Sequence, residues 1–427
     1  MLLIYSPEIS ARLQYTVDLV FGKLLGLKYQ ITSMLNELEN FEGPRLAYAF
    51  KPVEGILTIP ASGLLFERNI TDQSTRIGRM DTWEGLPVFF GKDILSGVFY
   101  LVSRYEEYLP FEPDEHQRFQ SGESLAFHLG FLDRPLVNEW VVKLGEWLKR
   151  EIPGFPEIVL PEYRFLPTID VDNAFAYLHK GLIRSIGGFK KDWKSMQERN
   201  HRYQVLRKNQ PDPYDTYTMI RVLHEEIRHP PIWFFLLGSY NRYDKNISPG
   251  NKSMSQLIRE LAKNNLVGIH PSYASNSQIN QIRKECQKLE KITGQPVSRS
   301  RQHYLRIEMP ATYRILHHLG IKEDYSMGFS ERTGFRAGIA HPYLFFDLEE
   351  NKMLDVTIYP FQVMDVTLQH YMKLTPDQAI EHTKQLILKT KKVGGTFCTL
   401  WHNESLSEWK NWSGWTKVYR EILHAAS

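Results

Sequence analysis

Cysteine is nearly absent from this chain: 427 residues hold two, Cys286 and Cys398, far apart and in unlike contexts. That speaks against a disulfide framework and a cysteine-built zinc knuckle, and it suits a reducing compartment. Long apolar runs are also missing, and no uninterrupted stretch approaches the roughly 18–20 residues a bilayer span requires. The opening Met1-Leu-Leu-Ile-Tyr-Ser-Pro-Glu8 has no basic stretch, and its apolar run is too short for a signal peptide, so the expected address is the cytoplasm. Neither charge sign dominates: 52 Lys and Arg stand against 49 Asp and Glu, a net +3. A nucleic-acid partner, which leaves a concentrated basic footprint, is not expected. Low-complexity sequence is scarce and 42% of residues are hydrophobic, as in folded soluble proteins.

The length exceeds one ordinary core, and two domains are predicted. Residues 1–155 alternate strand-like runs (Leu2–Tyr5, Gly55–Pro60, Leu86–Phe90) with helical ones (Ala11–Leu25, Asp93–Tyr108, Val137–Arg150). This reads as an α/β domain of unassigned role. Its one pair of adjacent carboxylates, Glu106-Glu107, fits a solvated helix end better than a catalytic pair. Ile152-Pro-Gly-Phe-Pro156 punctuates the chain as a linker.

From 163 to 427 the rhythm becomes strand then helix. Strands are predicted at Phe165–Ile169, Ile232–Leu237, Leu266–Ile269, Val297–Ser300, Glu323–Tyr325, Val356–Tyr359 and Thr396–Leu400. Helical stretches at Met254–Asn264, Ser277–Lys291, Ala311–Leu319 and Pro376–Lys391 separate several of them. Alternation of this kind implies a parallel sheet covered by its crossovers. Seven strands predict a closed or nearly closed β/α barrel, whose chemistry collects at the C-terminal strand ends.

Those ends carry reactive side chains. Asp170 and Asp172 in Thr168-Ile-Asp-Val-Asp172 leave a strand on the same face, as period-two alternation dictates. Two carboxylates so close repel unless a cation relieves them, a division that suits one base and one metal ligand. The plain alternative is a turn or N-cap use of Asp. His270 in Gly268-Ile-His-Pro-Ser272 and His303 in Arg301-Gln-His-Tyr304 also follow strand-like runs. One Asp and two His around a divalent ion leave a position open for water, as catalytic zinc sites require. His402, in Leu400-Trp-His402, comes from the last strand and is a candidate general acid.

In this order the segments resemble the NodB-like polysaccharide deacetylases of carbohydrate esterase family four, over residues from about 163 to 405. Thr168-Ile-Asp-Val-Asp172 is similar to that family's Thr-Phe-Asp-Asp with one residue inserted. The resemblance implies Asp170 as base, Asp172 as metal ligand, Arg301 as the group that orients the base, and His402 as acid. The family's second histidine motif keeps its first member in His270 but has Ala274 in the second ligand's place. His303 stands where the family's third motif has Pro, and is the expected replacement ligand. Asp324-Tyr-Ser326 resembles a reduced fourth motif without its Trp. The fold implied is a distorted (β/α)7 barrel of the deacetylase type behind a separate N-terminal α/β domain, with a divalent metal, zinc foremost.

Four further readings complete the set. Arg336, between glycines in Thr333-Gly-Phe-Arg-Ala-Gly338, is a candidate substrate contact or part of a plain turn, and Tyr304 and Trp401 are candidate sugar contacts. Asp365 is read as a capped loop residue in preference to a partner of His402. Residues 178–210 hold nine Lys and Arg against Asp192 and Glu198, either a solvated helical insertion or a flap that attracts anions. The expected function is metal-dependent removal of acetyl groups from an N-acetylated sugar or polysaccharide. The alternatives are a non-catalytic glycan-binding protein of the same fold and a metal hydrolase of a non-sugar amide.

Overall fold

The computed structural model of the chain describes residues 1–77, 81–181, 184–185, 187–188, 195–208 and 210–427. Its N-terminal part is built on a four-stranded parallel sheet of β1 (Leu2–Tyr5), β2 (Tyr29–Thr32), β3 (Arg45–Ala49) and β4 (Thr58–Pro60), in the order β2-β1-β3-β4. A hairpin of β5 (Asp81–Trp83) and β6 (Leu86–Val88) follows. The helix Ile94–Val102 starts where Asp93 accepts the backbone N–H of Ser96, an N-cap that satisfies an otherwise orphaned donor. That helix is buried on every side, so its residues carry no amphipathic stripe.

The remainder surrounds one nine-stranded sheet. Its strands are β7 (Arg164–Val171), β8 (Ile232–Leu236), β9 (Val267–His270), β10 (Arg299–Ser300), β11 (Glu323–Asp324), β12 (Tyr343–Asp347), β13 (Lys352–Ile358), β14 (Val363–Met364) and β15 (Thr396–His402). Their order is β12-β13-β11-β10-β9-β8-β7-β15-β14, parallel throughout except where β12 returns antiparallel on β13. Helices such as Lys252–Ala262, Ile279–Thr293 and Pro376–Lys392 supply the crossovers, the last opened by a Thr375–Gln378 capping box. Every residue of β8 is buried, as a central parallel strand covered on both faces must be.

Alternate side chains of β8 enter different cores. Trp233 and Phe235 join the large apolar cluster beneath the helices, while Ile232 and Phe234 join a second one. That second cluster also receives Tyr325, Phe361, Met364 and Leu400, from beside β11, from between β13 and β14, and from β14 and β15. Near-opposite ends of the strand order thus converge on one apolar centre. The chain explains how: β13 pairs with β11 and β14 pairs with β15, yet Tyr359 to Gln362 alone separate them. Four residues span little more than ~14 Å even when extended, so the sheet must curl back on itself.

The two parts meet through a buried ionic knot. Arg104, left-handed at φ 55°, donates Nε to Glu107 at 2.7 Å and Nη2 to Glu106 at 2.7 Å. Arg336 clasps the same Glu107 with Nε at 2.9 Å and Nη2 at 2.7 Å. Glu106 and Glu107 are therefore buried and ion-paired, not solvated. The preference for a solvated helix end fails because the helix stops at Val102 and the arginines draw both carboxylates inward.

Candidate metal centre

Parallel register brings the functional side chains together. On adjacent strands Asp170 is the Cα partner of His402, and Leu236 of His270. Gly268 permits the close fit of β9, since a Cβ there would lie 2.5 Å from Phe234 and 2.9 Å from the Arg299 carbonyl. Asp170, Asp172, His270, His303, Tyr304 and His402 all line one cleft of about 310 Å³ at the C-terminal ends of the parallel strands.

Asp172, His270 and His303 form a candidate metal-binding triad, their ligand atoms all within 4.8 Å of one another. The hydrogen bonds on the far side of each ring fix which nitrogen is offered. His270 Nδ1 lies against the Arg301 carbonyl oxygen, which can only accept, so Nδ1 carries the hydrogen and Nε2 the lone pair. His303 Nδ1 donates to Asp244 at 2.8 Å, the carboxylate–histidine arrangement that orients metal-binding imidazoles. The two Nε2 atoms then face Asp172, at 3.2 Å from Oδ1 and 3.3 Å from Oδ2. Asp172 Oδ1 is buried with no hydrogen-bond partner among the described residues. Two imidazole nitrogens and a carboxylate facing one another at this range suit a shared cation, either a proton on His303 or a metal ion. The same pull shows in the protons: burial opposes the charge on His303, but Asp172 and Asp244 outweigh it and raise the imidazole to about 9. Asp172 moves the other way; burial would raise it, but His303 and His270 hold it well below the usual carboxylate range.

Two braced groups flank the triad. Asp170 Oδ1 accepts from Arg301 Nη1 at 2.8 Å, and its Oδ2 faces His270 Nε2 at 3.7 Å. Arg301 is itself fully buried, donating to Thr168 at 2.6 Å and to the Tyr325 carbonyl at 2.9 Å. On the other side, His402 Nδ1 donates to Asp365 at 2.9 Å, and its Nε2 lies 3.7 Å from Asp172. Burial opposes a charged His402, but Asp365 prevails and holds its pKa well above the ordinary value. Asp365 is thus a partner of His402, against the preference for a plain loop residue. Its second oxygen accepts the His402 backbone N–H at 2.7 Å and the Ser405 hydroxyl.

Two expected contacts lie elsewhere. Arg336 is buried in the Glu107 knot, outside the cleft. Trp401 is fully buried with its ring 4.8 Å from that of Tyr419, because odd positions of β15 face the helices when His402 faces the cleft. Asp324 serves as a brace, accepting from Ser300 at 2.8 Å and Ser326 at 2.9 Å. Ala274 is exposed and offers no ligand. Tyr304 does line the cleft, left-handed at φ 59°. Such a residue costs roughly 1–3 kcal/mol unless its surroundings hold it. Arg118 provides that hold by donating to the Tyr304 carbonyl at 2.9 Å, while Asp114 fixes the guanidinium from behind at 2.7 Å. Arg118 and Asp244 were not foreseen. Asp244 follows a strand by several residues, and Arg118 belongs to the half that carried no readable chemistry.

Comparison with known proteins adds little. Residues 2–153 match a family of unknown function (DUF7033). No curated protein matches the chain. Among solved structures, a Mycobacterium smegmatis protein provisionally described as a polysaccharide deacetylase aligns at 15% identity and a TM-score of 0.42. The alignment covers 62% of this chain and 83% of that one. At that score the likeness carries no weight for chemistry, which stands on the residues above. Among the described residues no helix is long and apolar enough to cross a membrane.

Proposed function

We propose that the chain is a metal-dependent hydrolase that removes acetyl groups from an N-acetylated sugar. The observation that carries this is the triad of Asp172, His270 and His303, flanked by the Asp170–Arg301 pair on one side and the His402–Asp365 pair on the other. Imidazole with carboxylate suits zinc or a similar first-row ion. Such an ion, when bound, supplies Lewis acidity and brings the acidity of water towards a pKa of ~7. Asp170 accepts the proton of the attacking water through its free oxygen, with Arg301 fixing the other. Water adds to the acetyl carbon, the carbon–nitrogen bond breaks, and His402 delivers its Nε2 proton to the departing amine. Asp365 keeps His402 charged for that step. A protein that only bound glycans would need neither proton donor nor acceptor, which favours turnover over binding alone. In this reading the curled sheet is a distorted (β/α)7 barrel, and residues 1–155 and 163–427 are two domains.

The test is to load the purified chain with zinc, measure metal per chain, and follow acetate release from N-acetylglucosamine oligomers and from a simple non-sugar acetamide. One zinc per chain with acetate released from the sugar supports the proposal. Turnover of the acetamide alone would move the substrate class. Absence of stoichiometric metal would sink the hydrolase reading and leave glycan binding.

A further inference from the structure

Beside the metal cleft lies a larger cavity of about 560 Å³, and Asn173 and Lys245 line both. Among the described residues five cationic side chains reach its walls, Lys180, Arg184, Arg202, Lys245 and Lys410, against one carboxylate, Glu198. The chain as a whole is almost balanced, at a net +3 over 427 residues, so the imbalance is local.

Arg184 and Lys245 are held in place more than they are neutralised. Arg184 donates to the backbone carbonyls of Asn246 at 2.7 Å and Lys245 at 2.8 Å, and its guanidinium sits 3.9 Å over the Tyr240 ring. Arg202 sits 4.5 Å over the ring of Tyr177. Lys245 Nζ donates to the Asn241 carbonyl at 3.0 Å. Lys410 meets Glu198 at 2.9 Å. Carbonyl oxygens and a ring face orient Arg184 and Lys245 and leave their charge uncancelled. Among the described residues no carboxylate forms an ion pair with Lys180, Arg184 or Lys245. Asp212, which accepts the backbone N–H groups of Ala176, Tyr177 and Leu178, and Glu404, whose carboxyl is raised by burial, act on Lys180 only through space. Burial and Arg184 bring Lys180 down to about 8.

We propose that this annex binds a phosphate or diphosphate ester carried by the substrate, whose acetylated sugar lies in the metal cleft. Concentrated positive charge draws anions, and guanidinium forks match phosphate oxygens in pairs. One carboxylate would answer one cation, whereas a diphosphate answers several. The basic segment at 178–210 finds a use here through Lys180, Arg184 and Arg202; residues 182–183, 186, 189–194 and 209 of it lie outside the described residues. The placement of the sugar rests on the hydrolase reading, but the charge of the annex does not.

The experiment titrates inorganic pyrophosphate into the full chain by calorimetry, as wild type, as His303→Ala and as a Lys180→Ala/Arg184→Ala double variant. Lys180→Met, which keeps the stem and removes the charge, covers the case in which the double variant does not fold. Saturable binding that survives His303→Ala and weakens at least about tenfold without the annex charges is the expected result. Loss with His303→Ala would put the anion on the metal, and unchanged binding in the annex variants would make it adventitious; either overturns the subsite. Sedimentation with phosphatidylglycerol vesicles, dependent on the same lysine and arginine but without pyrophosphate binding, would assign the cations to a membrane surface and also overturn it. Should pyrophosphate bind as expected while zinc does not, the hydrolase reading fails and the anion subsite stands.

Discussion

Two clusters of buried charge occupy this molecule, and they are finished in opposite ways. In the knot between the two halves, Glu107 meets Arg104 and Arg336 with paired nitrogens, and Arg104 gives a further hydrogen bond to the Arg336 carbonyl. At the strand ends Asp172, with 19% of its side chain exposed against 2% for Glu107, faces two imidazoles, yet one of its oxygens has no hydrogen-bond partner among the described residues and both rings turn Nε2 towards it. Enclosure alone therefore does not mark a functional site. A buried charge whose valences are all matched is a fastener; one whose geometry is fixed from behind while its front is left unmatched is built for something that arrives later.

The comparison breaks first, if it breaks, at the metal centre. Replacing His303 by Ala is expected to abolish stoichiometric zinc binding and turnover, whereas Asp170→Asn keeps the zinc and lowers the rate by about 10²–10⁴, the range of a lost general base. Metal analysis beside acetate release separates the two, and full zinc occupancy in His303→Ala would remove that residue from the ligand set. The knot should answer differently. Glu107→Gln leaves the buried Arg336 guanidinium without its counter-charge and Arg104 with Glu106 alone, and is expected to cost about 3–5 kcal/mol in urea unfolding, with zinc stoichiometry unchanged. A cost below ~1 kcal/mol would show that the knot is no fastener.

Smaller effects sharpen the contrast. Asp244→Asn removes the charge that braces His303 from behind and should weaken zinc about 10–100-fold in chelator competition, with little loss of fold stability. Wild-type affinity would show that the ring is oriented by its packing alone. The smallest effect is that of pH. His303, raised to about 9, carries a proton in the metal-free chain at neutrality that zinc must displace. Zinc affinity should therefore fall about tenfold for each pH step below that value, if one proton is released. The same raised pKa stabilises the metal-free fold fully below the unfolded value near 6.5, and this contribution is lost as pH rises through about 9. Zinc affinity that stays flat between pH 6 and 8 would contradict it.

Much of the second half was legible because its local rules agree. The runs predicted at 165–169, 232–237 and 396–400 became β7, β8 and β15 within a few residues, and period two correctly sent Asp170 to the cleft. The strands β12 and β14 were missed; β14 is two residues long and is a strand only by virtue of its partner β15. Charges were harder to read than strands. Nothing near Arg336 in sequence announces Glu107, which is 229 residues away, and nothing near His402 announces that Asp365 reaches it. A side chain's donors are local, but whether they are already spent is decided by residues from elsewhere in the chain.

The pairing of β7 with β15 sets the order in which the cleft can be completed. Asp170 and His402 are register partners 232 residues apart, while Asp172, His270 and His303 lie on segments made well before β15. Closing such a loop carries an entropic cost that local pairing cannot offset until the last strand is available. During synthesis Asp172, His270 and His303 are therefore on hand before His402, and in the proposed function metal capture can precede competence for chemistry. A chain stopped short of residue 396 would carry the candidate triad without His402.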